Sequence, residues 1–417
     1  MTTLSTSRFA SSACLLLGIF LIAMNLRCPL TGIGPLLDII RVELDLSATQ
    51  AGMITTLPLL TFAFFSPIAS TIGRRCGLEH TLMLSQILII AGLMARSMGS
   101  TAALFSGTVI IGAGIALGNV LLPSLMKRDF PTKISTMTSL YVLVMGVGSA
   151  IIAAISQPLA TFANTLSISV MPSWAFSLVS VIIFPILAVL VWLPQMRNHT
   201  PPTKDTAEMD SHSYLWRNID AWHMTLFLAL NSFLIYIFIS WLPTILVEQG
   251  YSHHEAGVIH SLFLLFTAVP AIVLIPLMKK LSDKRMLSLS LPLMMVIGLV
   301  GLNVAPSAAI VWAMICGFGS GGGFIVALAM IGLRTETPHQ AAALSGMSQF
   351  FAYIFAATGP ILMGAIHEHY GDWHVVLTLS ALLALTCCAF AVLASKSSIV
   401  SSRSIQKPLV STAMVED

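Results

Sequence analysis

Long apolar runs recur along the whole chain, and this constrains its fold more than any other feature. Backbone that crosses lipid must satisfy its own hydrogen bonds, so only helices and closed barrels can do it. About 20 apolar residues in a helix cross the ~30 Å hydrocarbon core. Runs of that kind lie at about 12–37, 50–72, 80–98, 101–125, 134–162, 168–194, 221–247, 254–278, 285–305, 307–333, 341–364 and 373–395. Only 9% of residues are charged and mean hydropathy is +0.91, whereas soluble domains carry ~25% charge. The expected fold is an all-α membrane protein with twelve transmembrane helices in two six-helix halves. The N-terminal half is expected at 1–194 and the C-terminal half at 221–395. A Pro- and Thr-rich cytoplasmic linker joins them at 195–220, and a Ser-rich tail follows at 396–417. The first run is too long for a signal peptide and has no small-residue cleavage site, so it is expected to remain as a membrane helix.

Basic residues orient such a bundle, because Lys and Arg concentrate in cytoplasmic loops. With a cytoplasmic N-terminus, seventeen of the 20 Lys and Arg residues fall in inner segments, including Arg74, Arg75, Lys127, Arg128, Lys133 and the group at 279–285. Arg41 and Arg96 fall in outer loops, and Arg27 falls in neither class. Both termini are therefore expected in the cytoplasm. All 17 Asp and Glu residues lie in loops or at helix ends, so the sequence offers Arg27 no counter-ion. The six cysteines show no CxxC spacing and mostly sit in apolar runs, which suits small buried hydrophobes and gives no reason to expect a metal or cofactor.

The two halves repeat. LSATQAGMITTL (46–57) aligns without gaps to YSHHEAGVIHSL (251–262). In the same register Gly112, Gly114 and Gly118 fall on Gly317, Gly319 and Gly323, and Arg74-Arg75 falls on Lys279-Lys280. One residue further, Asn25 falls on Asn231. Two parallel six-helix repeats imply a cavity at their interface that opens to one side at a time.

This organisation resembles the major facilitator superfamily. The loop after the second helix, TIGRRCGLEH, keeps the glycine and basic residues of that family's pattern (Gly73, Arg74, Arg75) and lacks its aspartate. GNVLLPSLMKRDFP (118–131), NLRCPLTGIGPLLD (25–38) and GLR…HQAAALSGMSQ (332–349) resemble the cyanate/nitroimidazole transporter branch, with the likeness leaning to its nitroimidazole side. The resemblance implies a bacterial inner-membrane carrier of a small polar or anionic solute. It leaves the solute, the direction of flow and the driving ion open, with proton symport the default for such carriers and facilitated diffusion the alternative.

Arg27 is the first site candidate. It lies ~20 Å along the first run at 1.5 Å per residue, where an arginine costs ~2.5 kcal/mol or more. A guanidinium fork suits cyanate, carboxylate or a nitro group; the plainer alternative is a structural arginine that caps carbonyls. Asn119 and Asn231 are mid-helix amides, able either to bind a polar solute or to tie helices together. Asn25, two residues before Arg27, is expected to face a neighbouring helix instead. Ser345, Gln349 and Tyr353 form one polar stripe at i, i+4 and i+8. Tyr141, Tyr236 and Trp241 could stack on a flat ring, or could simply pack. His260, two turns inside the eighth helix, is the candidate for proton coupling, set against a hydrogen-bonded packing histidine. Gly114, Gly118, Gly319 and Gly323 read as close-packing positions, Gln157-Pro158 and Gly359-Pro360 as bends, and Arg74 and Arg75 as gate contacts.

The sequence offers neither paired acids nor spaced His/Cys ligands in the membrane, so an enzyme is not expected. An efflux carrier of the same fold and a transporter-like sensor are the competing classes. The expected partners are a small-molecule solute, protons as a candidate coupling ion, and the lipid bilayer. No nucleic acid is expected, because the basic clusters are short and separated; a monomer is expected.

Overall fold

A computed structural model describes residues 3–165, 171–197, 215–281 and 283–396. Most of the linker expected at 195–220, nearly all of the tail, and part of the polar stretch between the fifth and sixth runs lie outside the described residues. Among the described residues, twelve helical segments are long and apolar enough to cross a membrane. In the N-terminal half, spans 1 to 6 are Ala13–Leu36, Thr56–Cys76, Leu78–Arg96, Thr101–Asp129, Ile134–Thr165 and Ser173–Arg197. In the C-terminal half, spans 7 to 12 are Ile219–Glu248, His254–Met278, Arg285–Val304, Pro306–Leu333, Pro338–Tyr370 and Trp373–Lys396.

The repeat is written into matching caps. Ser47 and Ser252 each cap a helix and close a reciprocal capping box, with Gln50 and Glu255 respectively. The glycines serve matching contacts. A Cβ on Gly112 would meet the Thr61 side chain at 2.8 Å, and one on Gly317 would meet Phe266 at 3.1 Å, Thr61 and Phe266 being repeat equivalents. Gly114 lets span 4 approach the Ser85 carbonyl of span 3, and Gly319 lets span 10 approach the Leu291 carbonyl of span 9. A Cβ on Gly118 would strike Leu26, whereas one on Gly323 would strike Asn231. Leu26 is thus the positional equivalent of Asn231, and the pairing of Asn25 with Asn231 expected from the sequence is one residue out of register.

Span 1 is not the continuous helix expected over 12–37. A helix runs Thr3–Asn25, the chain turns at Leu26 and Arg27, and short helical pieces follow at Cys28–Thr31, Gly34–Leu36 and Leu37–Glu43. Pro29 has no N–H to give the Asn25 carbonyl four residues back, and its ring crowds that turn. Span 7, the repeat partner, is one unbroken helix over Ile219–Glu248.

Arg96 is not the outer-loop residue expected from loop counting. It is 0% exposed at the end of span 3, where its Nη1 donates to the Pro29 carbonyl at 2.6 Å, just beyond the break in span 1. Its Nε and Nη2 have no hydrogen-bond partner. Counting basic residues at helix ends locates a charge along the chain but says nothing of its burial.

The core shows how the halves meet. One cluster draws residues from both halves, among them Ile19, Leu121 and Met126 from the first and Phe227, Ile325 and Leu344 from the second. These lie towards the end of the bundle where span 1 enters and span 12 leaves, here termed the terminal end. At the opposite end each half keeps its own cluster, around Leu36, Leu104 and Trp174 in one and Leu246, Phe263 and Trp373 in the other. Ser124 donates to the Pro338 carbonyl at 2.5 Å across the terminal end. The halves are therefore packed together at the terminal end and separately packed at the other.

Candidate functional site

Five spans bring polar groups to one place between the halves. Asn119 of span 4 donates through Nδ2 to the Tyr353 hydroxyl of span 11 at 3.2 Å. Gln349, one turn earlier on span 11, donates through Nε2 to the Asn119 carbonyl at 3.0 Å and to Ser345 Oγ at 2.8 Å. The i, i+4 spacing aligns Ser345, Gln349 and Tyr353 on one face, and that face meets span 4 across the interface. Ser345 and Gln349 are buried, so Ser345 supports Gln349 from behind. The Gln349 Oε1 atom has no partner. Tyr353 also packs against Phe62 of span 2, ring centroids 4.9 Å apart. Phe62 is a wall of the site that carries no sequence signal beyond being apolar.

Arg27 joins the same group. The Tyr353 hydroxyl lies within electrostatic reach of Arg27, Tyr236 and Tyr141, and Tyr236 is likewise within reach of Arg27. Spans 1, 5 and 7 thereby converge on the groups of spans 4 and 11. The Arg27 side chain is half-buried, and among the described residues no carboxylate pairs with it and no hydrogen bond engages its guanidinium. Its backbone stands at the break in span 1, directly before the Cys28–Thr31 turn. Two bonds of that turn, from the Leu30 and Thr31 amides, end on the Arg27 carbonyl. The break therefore places the one unpaired cation of the span at a bend, where helical spacing no longer dictates its direction.

Three candidates lie elsewhere. Asn231 is 0% exposed and donates to the Ser320 carbonyl at 3.1 Å, joining spans 7 and 10 inside the C-terminal half. Trp241 donates through Nε1 to the Pro360 carbonyl at 2.8 Å and packs on Trp373 at 5.3 Å, so it helps build the core of that half away from the terminal end. The step of five positions from Tyr236 to Trp241 turns a helix ~140°, so the two rings cannot share a face. His260 shares no described hydrogen bond or ring contact with the cluster. Its ring lies 6.2 Å from Phe263, and its Nδ1 is enclosed without a hydrogen-bond partner.

Asn25 meets the expectation that it faces a neighbour: its Nδ2 donates to Gln86 Oε1 of span 3 at 2.8 Å. Arg74 is half-buried and Arg75 exposed at the terminal end of span 2. Nearby, Arg128 forms ion pairs with Asp129 and with the buried Glu79. Among the described residues no group of His, Cys, Asp and Glu side chains is placed to hold a metal ion.

Comparison with known proteins adds family evidence to this geometry. The Major Facilitator Superfamily description matches residues 15–298 and 224–413. The chain is 43% identical to the 2-nitroimidazole transporter of Escherichia coli (strain K12) over 395 residues, 94% of this chain and 98% of that one. It is 26% identical to the cyanate transport protein CynX of the same organism over 365 residues, 86% of this chain and 91% of that one. The likeness thus leans to the nitroimidazole side, as the motifs suggest. In structure it is similar to the transporter FucP in the outward conformation, with a TM-score of 0.75 at 16% identity, covering 92% of this chain and 98% of that one.

Proposed function

We propose that this chain, which belongs to the major facilitator superfamily, moves a small anionic or nitro-bearing solute across a bacterial inner membrane by alternating access, with Arg27 as its principal contact. The observation that carries this reading is the Asn119–Tyr353 hydrogen bond between the halves, with Arg27, Tyr141 and Tyr236 within electrostatic reach of the Tyr353 hydroxyl and no carboxylate pairing with Arg27 among the described residues. A carboxylate partner would satisfy Arg27 permanently. Without one, the desolvation of the guanidinium is offset only when a solute arrives. Cyanate and a nitro group both present delocalised negative charge on terminal acceptor atoms, which a planar fork of N–H donors matches. The tyrosine hydroxyls and the Asn119 amide can hold the remaining acceptors.

The basic residues concentrate at the terminal end, so that end is read as cytoplasmic, with both termini inside. The packed terminal end then corresponds to a closed inner gate, and the separate clusters at the opposite end to an outward-facing carrier. Alternating access follows when the terminal-end contacts part and the outer clusters meet.

Counterflow of labelled cyanate and of labelled 2-nitroimidazole in proteoliposomes tests the assignment. Arg27→Ala should lower transport of the carried solute at least ~10-fold, the worth of one charge-assisted hydrogen bond at ~1.5–3 kcal/mol. Arg27→Lys keeps the charge but not the fork and should recover only part of the loss. Near-normal counterflow of both solutes by Arg27→Ala would overturn the role of Arg27.

A further inference from the structure

A second cationic site lies away from the Arg27 cluster, at the terminal end of the C-terminal half. A cavity of about 540 Å³ opens there between the start of span 9 and the ends of spans 10 and 12. Lys284 and Arg285 enter it from span 9, Arg334 from the end of span 10 and Lys396 from the end of span 12, with Ser395 beside them. Among the described residues Asp283 is the only carboxylate in the lining; it lies 3.7 Å from Arg285 and accepts that residue's backbone N–H at 2.9 Å. Four cations thus line a cavity with one acid.

A solvated face of basic residues would fan its charges apart; these converge. Arg334 is half-buried and is drawn inward by donating to the Ser395 carbonyl. Burial, and then the nearby Arg285 charge, push the Arg334 guanidinium below its ordinary pKa, while Asp220 and Asp283 offset part of that strain. Span 9 begins in the cavity with Lys284 as its N-cap, without a side-chain cap or an acidic residue in its first turn. Asp283, through the Arg285 N–H, is the one described carboxylate at its positive end.

Apolar side chains sit beside the charges. Met286, next to Arg285, is 75% exposed, and Leu393, one turn before Lys396, is exposed as well. Cations with an adjoining exposed apolar border, at the level where spans leave the membrane, match a molecule with an anionic head and an acyl body. The volume is within the ~300–1,000 Å³ range of small-molecule sites.

We propose that this cavity binds a phosphate-type anion, with Lys284, Arg285, Arg334 and Lys396 as its ligands. The two sources of that chemistry are the headgroup of an anionic phospholipid in the adjoining leaflet and a free phosphate in solution. The exposed apolar border favours the lipid.

The test is thermal unfolding of the full chain in a neutral detergent, with added phosphatidylglycerol, phosphatidylcholine or inorganic phosphate. A rise in unfolding temperature with phosphatidylglycerol alone supports the lipid source, and a rise with inorganic phosphate supports the soluble one. Arg334→Gln should weaken the protecting ligand at least 10-fold. Because Arg334 also bonds Ser395, a second variant, Lys284→Gln with Lys396→Gln, changes two side chains with no described hydrogen bond and should weaken it as well. Lys133→Gln, outside the cavity, should leave protection intact. Protection by neither anion, or equal protection in wild type and in the Lys284→Gln, Lys396→Gln variant, overturns the proposal.

Discussion

Replacing Gly346 with valine should part the halves at the terminal end without unfolding either of them. Gly346 lies on span 11, and a Cβ there would stand 2.9 Å from the Ser66 carbonyl and 3.2 Å from both Cβ and Oγ of Ser70. Both serines belong to span 2 in the opposite half, so the overlap exists only while the halves touch at that end. Overpacking of this kind costs ~1–3 kcal/mol. Borne by one state alone, that cost shifts the equilibrium ~5–150-fold towards the state open at the terminal end. Gly321→Ala makes the contrast. Its Cβ would run into the Thr267 backbone within one half, so the cost falls on both states and appears as lost stability. Pulsed dipolar spectroscopy can read the shift, with one spin label on the exposed native Cys76 and one on Lys280→Cys, in a Cys14→Ser background. The long-distance population should grow in Gly346→Val and stay unchanged in Gly257→Val, where a Cβ meets nothing within 4 Å. An unchanged distance distribution in Gly346→Val, with a lowered unfolding temperature, would refute the claim that this contact is specific to one state.

Arg96→Met should hold or raise the unfolding temperature, because losing one charge-assisted bond of ~1.5–3 kcal/mol is set against a buried, unpaired charge that costs several. Solute affinity should nevertheless fall, since the Pro29 carbonyl beside the Arg27 break loses its anchor; unchanged affinity would remove Arg96 from the site's support. Tyr353→Phe keeps the ring against Phe62 and deletes only the hydroxyl that Asn119 meets, so solute affinity should drop less than 10-fold and less than in Arg27→Ala. Trp241→Phe should lower stability by ~1–3 kcal/mol through the orphaned Pro360 carbonyl and leave solute affinity as it was, as equilibrium binding to the purified variant can show.

Much of the molecule is legible in the sequence because the bilayer imposes a length on every apolar run, and the run boundaries fall within a few residues of the helical spans for most of the chain. The repeat is legible too, down to glycines that admit matching neighbours. The break in span 1 has signals, Pro29, Gly32, Gly34 and Pro35, but hydropathy counts apolar residues regardless of backbone, so the run reads as continuous. Arg96 is hidden for a related reason: its position at a helix end predicts water, and only packing against span 1 reveals burial. Arg27 stands out because no loop and no acid accounts for it. That Tyr236 comes within electrostatic reach of it while Trp241 packs on Trp373 depends on the rotation of span 7, which an almost uniformly apolar helix does not disclose.

The interrupted course of span 1 has a consequence for how this carrier moves. Past Arg27 the span is jointed, three short pieces in place of a rod, whereas span 7 opposite is one unbroken helix of 30 residues. A solute bound at Arg27 as proposed would rest at an elbow. The segment beyond it can fold over the mouth opposite the terminal end by bending at that elbow, while span 7 has no such break. The two leaves of the gate then differ in compliance, and the inward-facing form need not be the mirror image of the outward one. The ancestral symmetry survives in the packing and lapses at the site proposed for the solute.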